Sequence, residues 1–139
     1  MNRISRYLKI SVFFLTIFVI SISVSAIDFE RKPVKTMQGY TRFSIGTLTE
    51  ATNWAYVKLT DMTPDAVTFT VTECKGGDDC EYFGTGVVYE KSEDLNKTFV
   101  VSYKNAAVMP SGTKVQGRYR NHNWSLNSNY ITGFFKYND

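Results

Sequence analysis

The chain has 139 residues, and its 16 Lys and Arg residues against 13 Asp and Glu give a formal charge of +3. That excess sits in the first 26 residues, which carry Arg3, Arg6 and Lys9 and no acid, so the remainder holds 13 of each sign and is formally neutral. A neutral chain is not a polycation, which excludes nucleic-acid or membrane binding driven by net charge.

The N-terminus reads as an export signal. A positive n-region is followed by an apolar run, Ile10 to Ile22, and by the small residues Val24-Ser25-Ala26. The apolar run is shorter than the roughly 20 residues a bilayer span needs, so no stable membrane span is expected after cleavage. Residues 1–26 are expected to leave, and residues 27–139 to form one domain with a single modest core.

Ile27 to Thr36 is polar, contains Pro33 and shows no apolar period, so it reads as an extended or frayed lead-in. Gly39 to Ile45 is the first strand candidate. Asn53 to Thr60 puts Ala55, Val57 and Leu59 on one face and Trp54, Tyr56 and Lys58 on the other, the pattern of a central strand. Asp61 to Asp65, with Pro64, is turn chemistry. In Ala66 to Glu73, Val67, Phe69 and Val71 alternate with Thr68, Thr70 and Thr72, a half-buried strand with an outward threonine row. Tyr82 to Glu90 resumes strand character, with a bend at Gly84 and Gly86. Lys91 to Lys97 has room for one helical turn. Thr98 to Lys104 is a fifth strand.

Thr113 to Asn123 then places Lys114, Gln116, Arg118, Arg120 and His122 on one face, opposite Val115, Gly117 and Tyr119. Turning the charged face inward would bury three full charges, so this face is expected to be wet and to be where an anionic partner docks. Tyr130 to Tyr137 follows after a polar turn, and the two read as a closing hairpin. Seven strands in an all-β chain indicate one small antiparallel β-sandwich of immunoglobulin-like proportions, without the Cys-Trp-Cys spacing of antibody domains.

Acidic residues cluster from Glu73 to Asp94, and the stretch from Lys97 to Lys136 has six bases and no acid. Either the two segments pair across strands, or the basic stripe is a surface for a partner. Cys74 and Cys80, the only cysteines, are expected to form a disulfide that closes a small loop. Asp78, Asp79 and Glu81 beside Gly76 and Gly77 lack EF-hand spacing and read as a solvated acidic loop, so no metal or other cofactor is expected. His122, the only histidine, has no nucleophile or paired carboxylate near it in sequence, so no enzyme is expected.

Most aromatics of the mature chain must form the core. Trp124 is the exception, because it stands among Asn121, Asn123, Asn127 and Asn129. It reads as a binding platform or as a ring folded over the sandwich edge.

The closing segment carries Arg118, Asn121 and Asn123, then Gly133 with Phe134 and Phe135. In these elements it resembles a group of small, uncharacterised secreted proteins of Gram-positive bacteria, although the Cys74 to Cys80 loop is not a feature of that group. The resemblance implies an exported bacterial β-domain and carries no site residues. The leading functional expectation is a non-enzymatic exported protein, bacteriocin-like or of the interaction type, that binds a protein or cell-envelope polymer. A carbohydrate-binding module built on Trp124 is the alternative, and an enzyme a distant third.

Overall fold

Alternating apolar residues need a second layer to bury against, and the described residues supply it by forming nine strands in two antiparallel sheets. A computed structural model describes residues 26–37, 39–75, 80 and 86–137. The proposed leader lies outside these residues except for Ala26. In chain order the strands are β1 Ala26–Val34, β2 Thr41–Arg42, β3 Gly46–Thr47, β4 Trp54–Met62, β5 Ala66–Glu73, β6 Val87–Glu90, β7 Thr98–Ser102, β8 Lys114–Asn121 and β9 Asn129–Lys136. A single helical turn, α1 at Lys91–Asp94, follows β6. One sheet has the order β1-β9-β4-β7, and the other has β2-β8-β5-β6 with β3 also paired to β8. This is the all-β sandwich expected from the periodicity, with nine strands in place of seven.

Two of the differences share one cause. The lead-in from Ile27 is an edge strand, not a frayed segment: Phe29 and Val34 are buried, and Ile27 packs against the core. Its pairing with β9 shifts between Phe29 and Lys32, and Arg31 inside the shift has φ 45°. A bulge moves the inward positions from odd to even numbers, so a two-residue period cannot be seen across it. The same happens in β4, where Ala55, Val57 and Leu59 are buried, the register shifts between Leu59 and Asp61, and Met62 is again buried. The strand therefore runs two residues past its expected end at Thr60. Lys32 and Pro33 also blunt the β1 edge against pairing with another chain.

The expected closing hairpin does not form. β8 belongs to the five-stranded sheet and β9 to the four-stranded one, so residues 122–128 cross the end of the sandwich from one sheet to the other. Both strands are apolar on one face, and placing them in opposite layers buries Tyr119 and Phe135 toward a common centre. Phe43, held between β2 and β3, fills that centre: its ring lies 4.8 Å from Phe135, 5.1 Å from Tyr119 and 5.2 Å from Phe29. Gly117 leaves the space, since a Cβ there would stand 2.7 Å from the Phe135 ring. The first strand expected over Gly39 to Ile45 is reduced to the short β2: the Phe43 N–H still donates to the Gly117 carbonyl at 2.9 Å, but the pairing with β8 shifts by one residue between Arg42 and Gly46.

Cys74 and Cys80 are joined in a disulfide. It closes a loop of six residues' separation at the end of β5, and Cys80 is buried. Loop-closure entropy for so short a ring is worth about 2 kcal/mol. Urea denaturation with and without dithiothreitol should show a loss of that size on reduction, and a reduced protein as stable as the oxidised one would contradict the assignment of a purely entropic staple.

Candidate functional site

The basic stripe has the phase read from the sequence but is not uniformly wet. Lys114 and His122 are exposed, Arg118 and Arg120 are half-buried, and Gln116 is buried. The Gln116 amide donates to the Phe43 carbonyl at 2.9 Å, and its Oε1 accepts from the Arg42 guanidinium at 3.4 Å, which draws it down onto the sheet. Arg118 donates from Nε to Thr70 Oγ1 at 3.1 Å, and its guanidinium lies 3.8 Å from the centre of the Tyr40 ring. Arg120 lies 5.3 Å from the same ring. Burial, reinforced by the charges of Arg42 and Arg120, lowers the Arg118 pKa from its usual value, although a guanidinium so shifted remains a cation near neutrality.

The outward threonine row is covered too. Thr68, Thr70 and Thr72 are all buried. Thr68 Oγ1 is hydrogen-bonded to His122 Nδ1 at 3.0 Å, and Gly86 lies so close over Thr68 and Thr70 that a Cβ would meet the Thr68 methyl at 2.5 Å. Alternation reveals which residues share a face. It does not reveal what lies on top of that face.

The acidic segment meets the basic strand β8 at its start, where Glu73 of β5 stands opposite Val115 and the Cys74 N–H donates to the Lys114 carbonyl at 2.8 Å, but its next described strand, β6, is one strand removed. β5 separates β8 from β6, and Glu73 pairs with Lys75 at 3.3 Å within its own segment. Asp78, Asp79 and Glu81 lie outside the described residues.

Trp124 is placed differently from the stripe. It sits in the loop that crosses between the sheets and is 64% exposed, so the indole does not fold over the sandwich edge. It borders a cavity of about 310 Å³ whose other walls include Asn127 from its own loop, Asn121 and Asn129 at the strand ends that flank it, and Thr63 and Asp65 from the β4–β5 turn. Side-chain amides hold this loop in shape. Asn121 donates from Nδ2 to the Lys35 carbonyl at 3.3 Å, and Asn129 donates from Nδ2 to Asn121 Oδ1 and to Ser125 Oγ, each at 3.4 Å. Thr63 Oγ1 donates to Asn129 Oδ1 at 3.2 Å, and the His122 backbone N–H donates to the Ala66 carbonyl at 3.0 Å. Asparagine suits such a loop because its amide replaces the strand hydrogen bonds that the backbone gives up at a crossing.

Two further surface residues belong to this end, and nothing in their local sequence joins them to it. Met37, in the β1–β2 connection, donates its backbone N–H to the Ser125 carbonyl at 2.9 Å and has φ 53°. Its side chain is 62% exposed, and Leu126 in the crossing loop is 60% exposed. The only signal in the sequence is a large apolar residue in a polar connection, which taken alone is ordinary. A second exposed aromatic group lies elsewhere, on the outer face of the four-stranded sheet: Trp54 donates from Nε1 to the Tyr56 hydroxyl at 2.7 Å, and Val100 stands opposite Tyr56 on β7.

The chain matches no protein-family model, and it has no match among curated proteins or solved structures. The fold and the chemistry of its surface are therefore what bear on function.

Proposed function

We propose that this chain is an exported, non-enzymatic β-sandwich that binds at the cell envelope or outside the cell through the end of the sandwich built around Trp124. The carrying observation is the exposed indole on a loop fixed by an amide network. A large exposed ring on a loop that is already tied down offers much area at little further cost of ordering the loop, and tryptophan is enriched where binding energy concentrates. The disulfide supports an oxidising compartment, and the N-terminal pattern supports export. The resemblance of the closing segment to secreted Gram-positive proteins fits the same reading.

The test is attachment of the mature protein to cells of the native host. Replacing Trp124 with alanine should lower the retained fraction by about tenfold or more, as for a central binding residue. Thermal stability should stay within about 0.5 kcal/mol, because the side chain is exposed. Equal attachment of the variant and the parent protein would remove this end of the sandwich from the proposal.

A further inference from the structure

Three large apolar side chains, Met37, Trp124 and Leu126, each more than half exposed, stand on two loops at one end of the fold. The Met37 N–H bond to the Ser125 carbonyl fastens those loops to each other. Resting on the reading that this end binds, we propose that it docks on an anionic lipid bilayer, with Met37, Trp124 and Leu126 inserted at the interface.

Three observations favour lipid over a sugar. The first is the apolar set itself: a sugar ring would use the indole face but would leave Leu126 and Met37 in water, whereas a bilayer interface takes all three. The second is the fate of the amides. The donors and acceptors of Asn121 and Asn129 are engaged with Lys35, Ser125, Thr63 and each other, which leaves only the exposed Asn123 and Asn127 of the four asparagines at this end to meet sugar hydroxyls. The third is charge. The stretch from Arg31 to Thr49 and the stretch from Leu95 to Asn138 contain no acid, and the first carries Lys35 just before Met37. The local field thus suits lipid phosphate even though the mature chain is neutral. Asp65 on the neighbouring β4–β5 turn, which lines the cavity with Trp124, and Glu90, which stands opposite Ala66, are acids at the same end of the sandwich. At Met37 a left-handed backbone, costly for a side chain other than glycine, is kept at the tip.

The chain has two tryptophans, so Trp54→Phe leaves Trp124 as the sole reporter. Liposomes of equal parts phosphatidylglycerol and phosphatidylcholine should shift its emission to the blue and carry the protein down on sedimentation, and added salt should weaken both effects. Leu126→Glu and Met37→Glu should each lower the bound fraction by roughly tenfold or more, with melting temperature unchanged. An unshifted emission without cosedimentation overturns the proposal, and so does cosedimentation that neither acidic variant weakens. If isolated cell-wall polysaccharide shifts the Trp124 emission and liposomes do not, the lipid assignment falls while binding through this end stands. If attachment to whole cells is also indifferent to Trp124→Ala, both readings fall.

Discussion

Replacing Gly133 with alanine should cost at least about 3 kcal/mol, the largest loss expected from any single methyl group added to this fold. Gly133 lies in β9 between two partners, facing Phe29 of β1 on one side and Leu59 of β4 on the other. A Cβ there would stand 2.0 Å from the Lys58 carbonyl oxygen and 2.9 Å from the Leu59 Cα, atoms of backbone that no rotamer change can move aside. Both neighbouring strands have their register shift immediately beyond this contact, at Phe29/Lys32 and at Leu59/Asp61. The glycine thus lets β4 close in where the sheet bends, and a methyl group would force the two bulges apart. Gly112→Ala is the control, because Gly112 has φ 85° with nothing within 4 Å of a Cβ, and its penalty should be only the roughly 1 kcal/mol of a left-handed backbone. Urea denaturation of both variants separates the effects. Equal losses at the two positions would mean that the contact at Lys58 is relieved cheaply and that this account of the bend is wrong.

The glycine also shows what the sequence could and could not reveal. Gly133 beside Phe134 and Phe135 was visible as a pattern, but nothing in that pattern says that a carbonyl from β4 approaches it. The periodic strands were legible because burial on one face needs only local alternation: Val67, Phe69 and Val71 in β5, and Phe99, Val101 and Tyr103 along β7, are where the pattern put them. Bulges hid β1 and the end of β4, since one extra residue reverses the phase for every residue after it. Pairing was not legible at all for β8 and β9. Two successive alternating strands fit a hairpin or a crossing equally well, and the choice is made by what each buries across the sandwich.

The candidate site divides the same way. Trp124 stood out because an aromatic residue in a run of asparagines has no local partner to bury it, and the indole is indeed exposed. Met37 did not stand out, because the bond that brings it to Ser125 joins loops from opposite ends of the chain. The basic stripe was legible as a phase and, at Lys114 and His122, as exposed surface, but Gln116 is buried and Arg118 partly covered because the Phe43 carbonyl, Tyr40 and Thr70 reach them from elsewhere in the fold.

Stability should collapse between about pH 10 and about pH 12, and four interior tyrosines are the reason. Tyr119 and Tyr137 are fully buried, and burial pushes each phenol up to about 12. Burial also raises Tyr89, and it raises Tyr103, where the neighbouring Tyr137 adds to the shift. The Tyr119 and Tyr137 hydroxyls also donate, which favours the neutral form: Tyr119 to the Pro33 carbonyl at 2.7 Å and Tyr137 to the Ser44 carbonyl, while the Gly117 N–H that donates to the Tyr137 oxygen at 3.1 Å offsets part of the upward shift. An unfolded tyrosine ionises near pH 10. Below that pH both states keep their protons and the stabilisation is fully present. Above it the unfolded chain loses protons that the folded chain still holds, so stability falls with pH until the folded phenols ionise as well. Each such tyrosine contributes about 1.4 kcal/mol per pH unit, and Tyr119 and Tyr137 together remove several kcal/mol, a large part of the 5–15 kcal/mol that holds a typical domain. Urea midpoints measured from pH 7 to pH 11 should therefore be flat at first and then drop steeply. Tyr119→Phe combined with Tyr137→Phe should start lower, having lost both hydroxyl bonds, but should fall less steeply above pH 10. A parent protein equally stable at pH 7 and pH 11, or a double variant with an unchanged alkaline slope, would show that these phenols do not govern the transition.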